Sequence, residues 1–268
     1  MISDNLFEMA YVPKWKEQLT TLQEMALPEP WKFTVPAFER KNATNHILEK
    51  YIMSIFRNQV LDYQNALSKD DADCYLCVRS GYICFHTGLL SKRFKAIYAF
   101  LEKNRMPGKC DWFFRGFFED ASSGLRNVER LPEKPFPYFR QEQWGFCPNY
   151  EIRVNTDHIL DDPENLSRIP EGIREFPNLY LLLETGVEMA RRTAEFFPSM
   201  VVPQLFHGEI QYLLPISLTN PKTTDLAMTI SRKEGYYVGS TCLTLEMAYN
   251  NARLLARPTA PWLTALVE

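Results

Sequence analysis

Two tight-turn signals, one close behind the other, constrain this chain more than any other feature. In VVPQLFHGEIQYLLPISL, Val201 to Leu218, two apolar-rich runs flank His207-Gly208, and in DLAMTISRKEGYYVGSTCL, Asp225 to Leu243, two more flank Lys233-Glu234-Gly235. Loops this short join antiparallel strands, because a parallel connection needs a dozen or more residues. The first hairpin pairs Phe206 with Glu209 and Leu205 with Ile210, which sets Gln204 across from Gln211. The second, with Gly235 in the left-handed position of a three-residue loop, opposes Leu226, Met228 and Ile230 to Cys242, Ser240 and Val238 on an inward face. The pattern points to an α+β fold with a mostly antiparallel sheet and packed helices, and disfavours a doubly wound parallel one.

The remaining patterning supplies the helices. Residues 1–70 read as an N-terminal helical part, with helices over Trp15 to Ala26 and Ile47 to Leu67 covering the sheet. From Cys74 onward the runs YLCV, YICFHTGLL and DWFFRGFF, broken by Gly81 and Pro107-Gly108, read as strands. Glu151 to Asp157, EIRVNTD, alternates and reads as one more strand. A long helix spans about 179–197, with Leu183, Val187, Ala190, Ala194 and Phe197 on one stripe, and Pro198 ends it. A final helix spans about 245–256, capped by Thr244 and followed by Pro258. No repeat or low-complexity linker divides residues 71–268 from the rest, so one domain is expected. The densest proline stretch, Leu131 to Pro137, is short.

Composition narrows the function classes. With 268 residues, 46% hydrophobic and 24% charged, the chain can bury a core of its own. A net charge of −3 gives no global basic field, so any nucleic-acid contact has to be local. No apolar run approaches the roughly 18 residues of a membrane span, and the N-terminus has no leader-like pattern. A cytoplasmic protein with no membrane partner and six reduced thiols is the expectation.

The final helix carries an unusual stripe: Glu246, Asn250, Arg253 and Arg257, with Asn251 beside it. Asparagine is a poor helix-interior residue, and a stripe kept only for solubility favours Glu and Lys. Amide and guanidinium groups instead bind planar polar partners directionally. Two readings stay open. Asn250 and Asn251 tie the helix to neighbouring strands, or they read a base edge while the arginine holds phosphate.

Other clusters are weaker. Asp157, His158, Asp161 and Asp162 in NTDHILDDPE could serve metal-assisted phosphodiester hydrolysis, or His158 could shuttle protons without metal; acidic caps of turns have the same pattern. Cys74, Cys77, Cys84 and His86 begin like a zinc site, but strand alternation separates Cys74 from Cys77, and buried strand thiols account for them. The aromatics around Arg115 suit a stacking platform or, better, a core strand, and Arg191-Arg192 a solvated pair. No triad signature, phosphate-binding loop or dinucleotide fingerprint names a cofactor.

The strings DLAMTI, GYYVGSTCLTLEMAYNNARLLARP, VPQLF and IQYLLPISL resemble an uncharacterised, largely bacterial domain family found alongside OST-HTH (LOTUS-type) RNA-binding domains. FHTGLL, AIYAF, DWFFRGFF, PNYEIRVNTDHILDD, MAYVPKWKEQL and LPEPWKF extend the likeness over nearly the whole chain. The resemblance implies an association with RNA metabolism or defence. Its polar positions here are Arg153, Asn155, His158, Gln204, Gln211, Asn250, Asn251 and Arg253; His86 departs from it, standing where the family pattern has asparagine. The leading expectation is an RNA- or nucleotide-binding domain whose site gathers Arg153, Asn155, Gln204, Gln211, Asn250, Asn251 and Arg253. The alternatives are a phosphodiesterase or nucleotide hydrolase using His158 with Asp157, possibly metal-dependent, and a protein-interaction module.

Overall fold

The computed structural model describes residues 2–34, 46–106, 110–133, 145–206 and 209–267. The class is α+β with mostly antiparallel pairing, but the strands form two five-stranded sheets where the sequence pattern pointed to one. Each sheet has its own compact unit: the N-terminal unit holds the described residues up to 32 and from 46 to 133, the C-terminal unit residues 33, 34 and those from 145 onward.

The N-terminal unit runs α1 (Leu6–Met9), β1 (Ala10–Tyr11), α2 (Trp15–Met25), α3 (His46–Asn65), α4 (Lys69–Tyr75), β2 (Cys77–Val78), β3 (Tyr82–Leu90), β4 (Ala96–Lys103) and β5 (Trp112–Glu119). The expected helices are α2 and α3. Ser68 starts α4 by accepting the Asp71 N–H at 3.1 Å, and that helix takes Tyr75 out of the strand that YLCV suggested. The sheet order is β1-β5-β4-β3-β2, antiparallel throughout except that β1 lies parallel to β5. Helix α3 packs on β3: the Phe56 and Phe85 rings lie 5.2 Å apart, and Gln59 Nε2 donates to the His86 carbonyl at 2.9 Å. On the other face Cys77, Cys84 and Tyr98 are sealed by Leu125, with Val128 and Leu131 against them. The aromatic run around Arg115 is core strand, with Phe114 fully buried against the edge of Trp15.

The C-terminal unit runs β6 (Glu151–Val154), α5 (Thr156–Asp161), α6 (Pro163–Arg168), α7 (Glu171–Arg174), α8 (Leu179–Phe196), β7 (Val202–Phe206), β8 (Glu209–Ile216), β9 (Leu226–Arg232), β10 (Tyr236–Leu243), α9 (Leu245–Leu255) and α10 (Pro261–Thr264). Its order, β6-β10-β9-β8-β7, repeats the first sheet strand for strand, and again only the first strand lies parallel, beside the last. The chain thus contains a repeat of connectivity that its sequence does not display. Helix α8 buries Leu183, Val187, Ala190 and Ala194 against Tyr212, Leu214, Ile216, Met228 and Ile230. Gly186 permits the close approach, since a Cβ there would lie 3.0 Å from the Ser217 carbonyl oxygen and 3.1 Å from Ile216 Cγ2. Helix α9, capped by Thr244 Oγ1 accepting from Met247 N–H at 3.2 Å, packs along β7 on the opposite face.

Two strand expectations are corrected. The His207-Gly208 turn lies outside the described residues, but the register it predicts is present, with Gln204 opposite Gln211. In the second hairpin Lys233 N–H bonds the Tyr236 carbonyl, so the loop is one residue tighter than expected, with Gly235 at φ +80°. Ile230 therefore meets Gly239, and an irregularity at Ser240 shifts the register by one residue more, so that Met228 meets Cys242 where Ser240 was expected. Strand β6 also ends early. Asn155 caps α5, its Oδ1 accepting the His158 N–H at 3.1 Å, so Asn155 and Asp157 leave the strand face that alternation gave them.

Arg79, just beyond β2, ties that strand to α4 by two bonds to the Asp73 carboxylate at 2.9 and 2.8 Å. The hydrogen bond from Arg79 holds the Asp73 carboxyl below its usual range, and its charge adds to the effect. A depressed carboxyl pKa gives stability that is fully present above the unfolded value of about 4 and lost as pH falls through the folded one. Asp73→Asn is expected to lower the stability by about 3 kcal/mol and to flatten the acid limb of a urea-midpoint against pH curve. In the second unit, Gly186→Val is expected to cost about 1–3 kcal/mol by overpacking α8 against the end of β8, read as a lowered thermal midpoint.

Candidate functional site

One row of residues crosses the whole C-terminal sheet on the face away from α8. It runs from Gln204 on β7 to Gln211 on β8, Ser231 on β9, Val238 on β10 and Arg153 on β6. The side chains are joined in one direction. Asn251 Nδ2, on α9, donates to Gln204 Oε1 at 3.1 Å; Gln204 Nε2 donates to Gln211 Oε1 at 2.9 Å; Gln211 Nε2 donates to Ser231 Oγ at 3.1 Å. Aligned amide bonds of this kind polarise one another.

Exposure rises along the row. Gln204, beneath α9, is 0% exposed; Gln211, Ser231 and Val238 are half-buried; the Arg153 side chain is 58% exposed. Arg153 NH2 lies 2.7 Å from Glu151 Oε2, and its guanidinium sits 4.2 Å over the Tyr236 ring. The result is a polar, partly open face with a backed cation at one side and a buried amide at the other.

The remaining expected site residues go elsewhere. Asn250 and Arg253 are buried, not on a solvated stripe, because α9 is covered on nearly all sides. Asn250 Nδ2 returns to the Glu246 carbonyl at 2.8 Å, and its Oδ1 is buried with no hydrogen-bond partner among the described residues. Asn155 is spent as the cap of α5, whose exposed side carries Asp157 and His158. Among the described residues no hydrogen bond joins those two side chains, and no group of three His, Cys, Asp or Glu residues could hold a metal ion. Asp162 is a helix cap, accepting the Glu164 N–H at 2.8 Å. Cys77 and Cys84 face each other across β2 and β3, Cys74 lies on α4, and His86 Nδ1 accepts the Gly88 N–H at 2.8 Å. Arg191 and Arg192 both pair with Glu188.

The expected set therefore divides. Gln204, Gln211 and Asn251 form one bonded group and Arg153 shares its face, whereas Asn155, Asp157 and His158 cluster at the start of α5. Ser231, Tyr236 and Val238 are row or face members that sequence reasoning missed. The one-residue shift in the second hairpin hid them: with a three-residue loop Val238 faces inward, and with the tighter turn it joins Ser231 on the outer face.

An α+β chain of two like-connected units with this amide row belongs to a recognised family. Residues 22–262 match the model for a domain of unknown function, DUF3825, and the chain is a member of that family. The single match spans both units. No curated protein and no solved structure matches the chain. Among the described residues no helix is long and apolar enough to cross a membrane.

If the amides act as one chain, their contributions are not additive. A double-mutant cycle of Gln204→Ala and Asn251→Ala in urea is expected to give a coupling of about 0.5–3 kcal/mol. Additive losses would show that the two carboxamides stand independently.

Proposed function

We propose that the C-terminal unit binds RNA or a nucleotide through the sheet face that carries Gln204, Gln211, Ser231, Val238 and Arg153. The observation that carries this reading is the bonded amide row, left half-open beside a guanidinium stacked on a tyrosine. Carboxamides and hydroxyls match the donors and acceptors of base edges, and a ring backed by a cation offers a stacking platform. The first sheet supplies an internal comparison. Its corresponding row, Cys77, Cys84 and Phe100, is apolar and packed against Leu125, so the fold does not itself require a polar row there.

An RNA ligand also suits the OST-HTH company that the C-terminal motifs suggest, and with it a role in RNA metabolism or defence. We place the activity in the cytoplasm, in keeping with six free cysteines. Gln204 and Asn251 hold the row in place, Gln211 and Ser231 present its open polar edge, and Arg153 with Tyr236 stacks a ring.

The test is a thermal-shift screen of nucleotides and short RNAs against the whole chain, followed by fluorescence anisotropy on any ligand found. A ligand at about 100 times its dissociation constant stabilises by roughly 2.7 kcal/mol. Tyr236→Ala is expected to weaken binding by about 1–3 kcal/mol, the usual worth of a stacked base, while His158→Ala leaves it unchanged. No shift with any nucleotide or RNA would sink the reading. Turnover of a nucleotide that His158→Ala abolishes would transfer the function to a hydrolase centred on α5.

A further inference from the structure

Resting on that reading, the charge balance of the face says which part of a nucleotide it takes. The described charged pair on the row strand, Glu151 and Arg153, is closed at 2.7 Å, so the guanidinium brings no net positive charge to the surface. The other row members, Gln204, Gln211, Ser231 and Val238, are neutral, and so is Asn251. Arg253, the arginine expected to hold phosphate, is buried. A face built to hold a phosphate chain gathers several unpaired cations, and among the described members of this row there is none.

What it does offer is directional. Each carboxamide passes its donor toward Ser231, whose oxygen accepts from Gln211 and whose own proton is left to donate. A second Gln211 N–H stands beside it. Between these donors and the Arg153–Tyr236 stack lies Val238, a half-buried apolar floor paired with Ser231 on one side and Arg153 on the other. Adjacent strands are about 4.8 Å apart, so the Ser231-to-Arg153 span is on the order of 10 Å, the scale of a single base laid flat. We infer that this face recognises a nucleobase through its acceptor edge, with the base resting on Val238 and the phosphates left in solvent.

This makes the ligand a base of single-stranded RNA or of a free nucleoside, two sources that one experiment separates. The whole chain is titrated with a labelled eight-nucleotide single-stranded RNA between 50 and 500 mM KCl, and with the four ribonucleosides and their 5′-monophosphates as competitors. With at most one phosphate engaged, affinity is expected to fall no more than about fivefold over that tenfold salt range, since each phosphate adds about 0.7 to the logarithmic slope. One nucleoside is expected to compete as well as its monophosphate. Ser231→Ala is expected to weaken binding about tenfold, the scale of one base-edge contact, with Ser231→Thr restoring it and the thermal midpoint of both variants held.

A loss beyond about a hundredfold, the mark of three or more phosphates, would overturn the inference while leaving RNA binding intact. So would failure of every nucleoside to compete where monophosphates do. Absence of binding by all RNAs and nucleosides sinks the underlying reading instead. A thermal shift with a nucleoside and no binding of the oligonucleotide assigns the face to a free nucleoside.

Discussion

Pairing of the first strand with the last governs both units. In each sheet the first strand lies on one edge, parallel to the final strand, and the second strand lies on the other edge. The connection between them has to cross the full width of the sheet, and its helices are thereby laid over one face: α3 on β3, α8 on β8. After the last strand the chain stands back beside the first. It returns over the opposite face, as the segment carrying Leu125 in the N-terminal unit and as α9 over β7 in the C-terminal one. The layers of both units follow from that one closure.

The two returns differ, and the difference makes the candidate site. The segment over the first sheet seats Leu125 on Cys77, Cys84 and Tyr98, and those thiols behave as core: burial pushes the Cys84 and Cys77 pKa values upward. Over the second sheet α9 covers β7 and bonds Gln204, while Gln211, Ser231 and Arg153 grow more exposed toward β6. A buried amide left without a partner costs about 1–3 kcal/mol, so Gln204 is tolerable only because both its ends are bonded. Bonded amides, in turn, hold one orientation. The face they present is rigid where it is buried and open where it ends.

Some of this was legible beforehand. Gln204 opposite Gln211 follows from a two-residue loop and strand alternation, and that pairing is present in the structure. The helices α2, α3, α8 and α9 follow from their apolar stripes and caps, within a residue or two at each end. The second hairpin was misread by one residue because loop length cannot be told from Lys-Glu-Gly alone, and a single slip moves every side chain to the other face. Asn155 was misassigned for a different reason. A residue that fits an alternating strand also caps helices, and the local hydrogen bond to His158 N–H prevailed.

By itself, the sequence determined the α+β class, the antiparallel hairpins, the main helices and one cross-strand amide pair, because all of these rest on periodicity and turn chemistry within a few residues. Only the tertiary structure decided that the strands divide into two sheets of like connectivity, that Asn250 and Arg253 are enclosed while Asn251 reaches Gln204, and that Ser231, Val238 and Arg153 prolong the row. Those outcomes depend on which strand lies beside which and on what covers each face. Pairing at long range leaves no periodic trace in a single chain, so it is written only in the packed molecule.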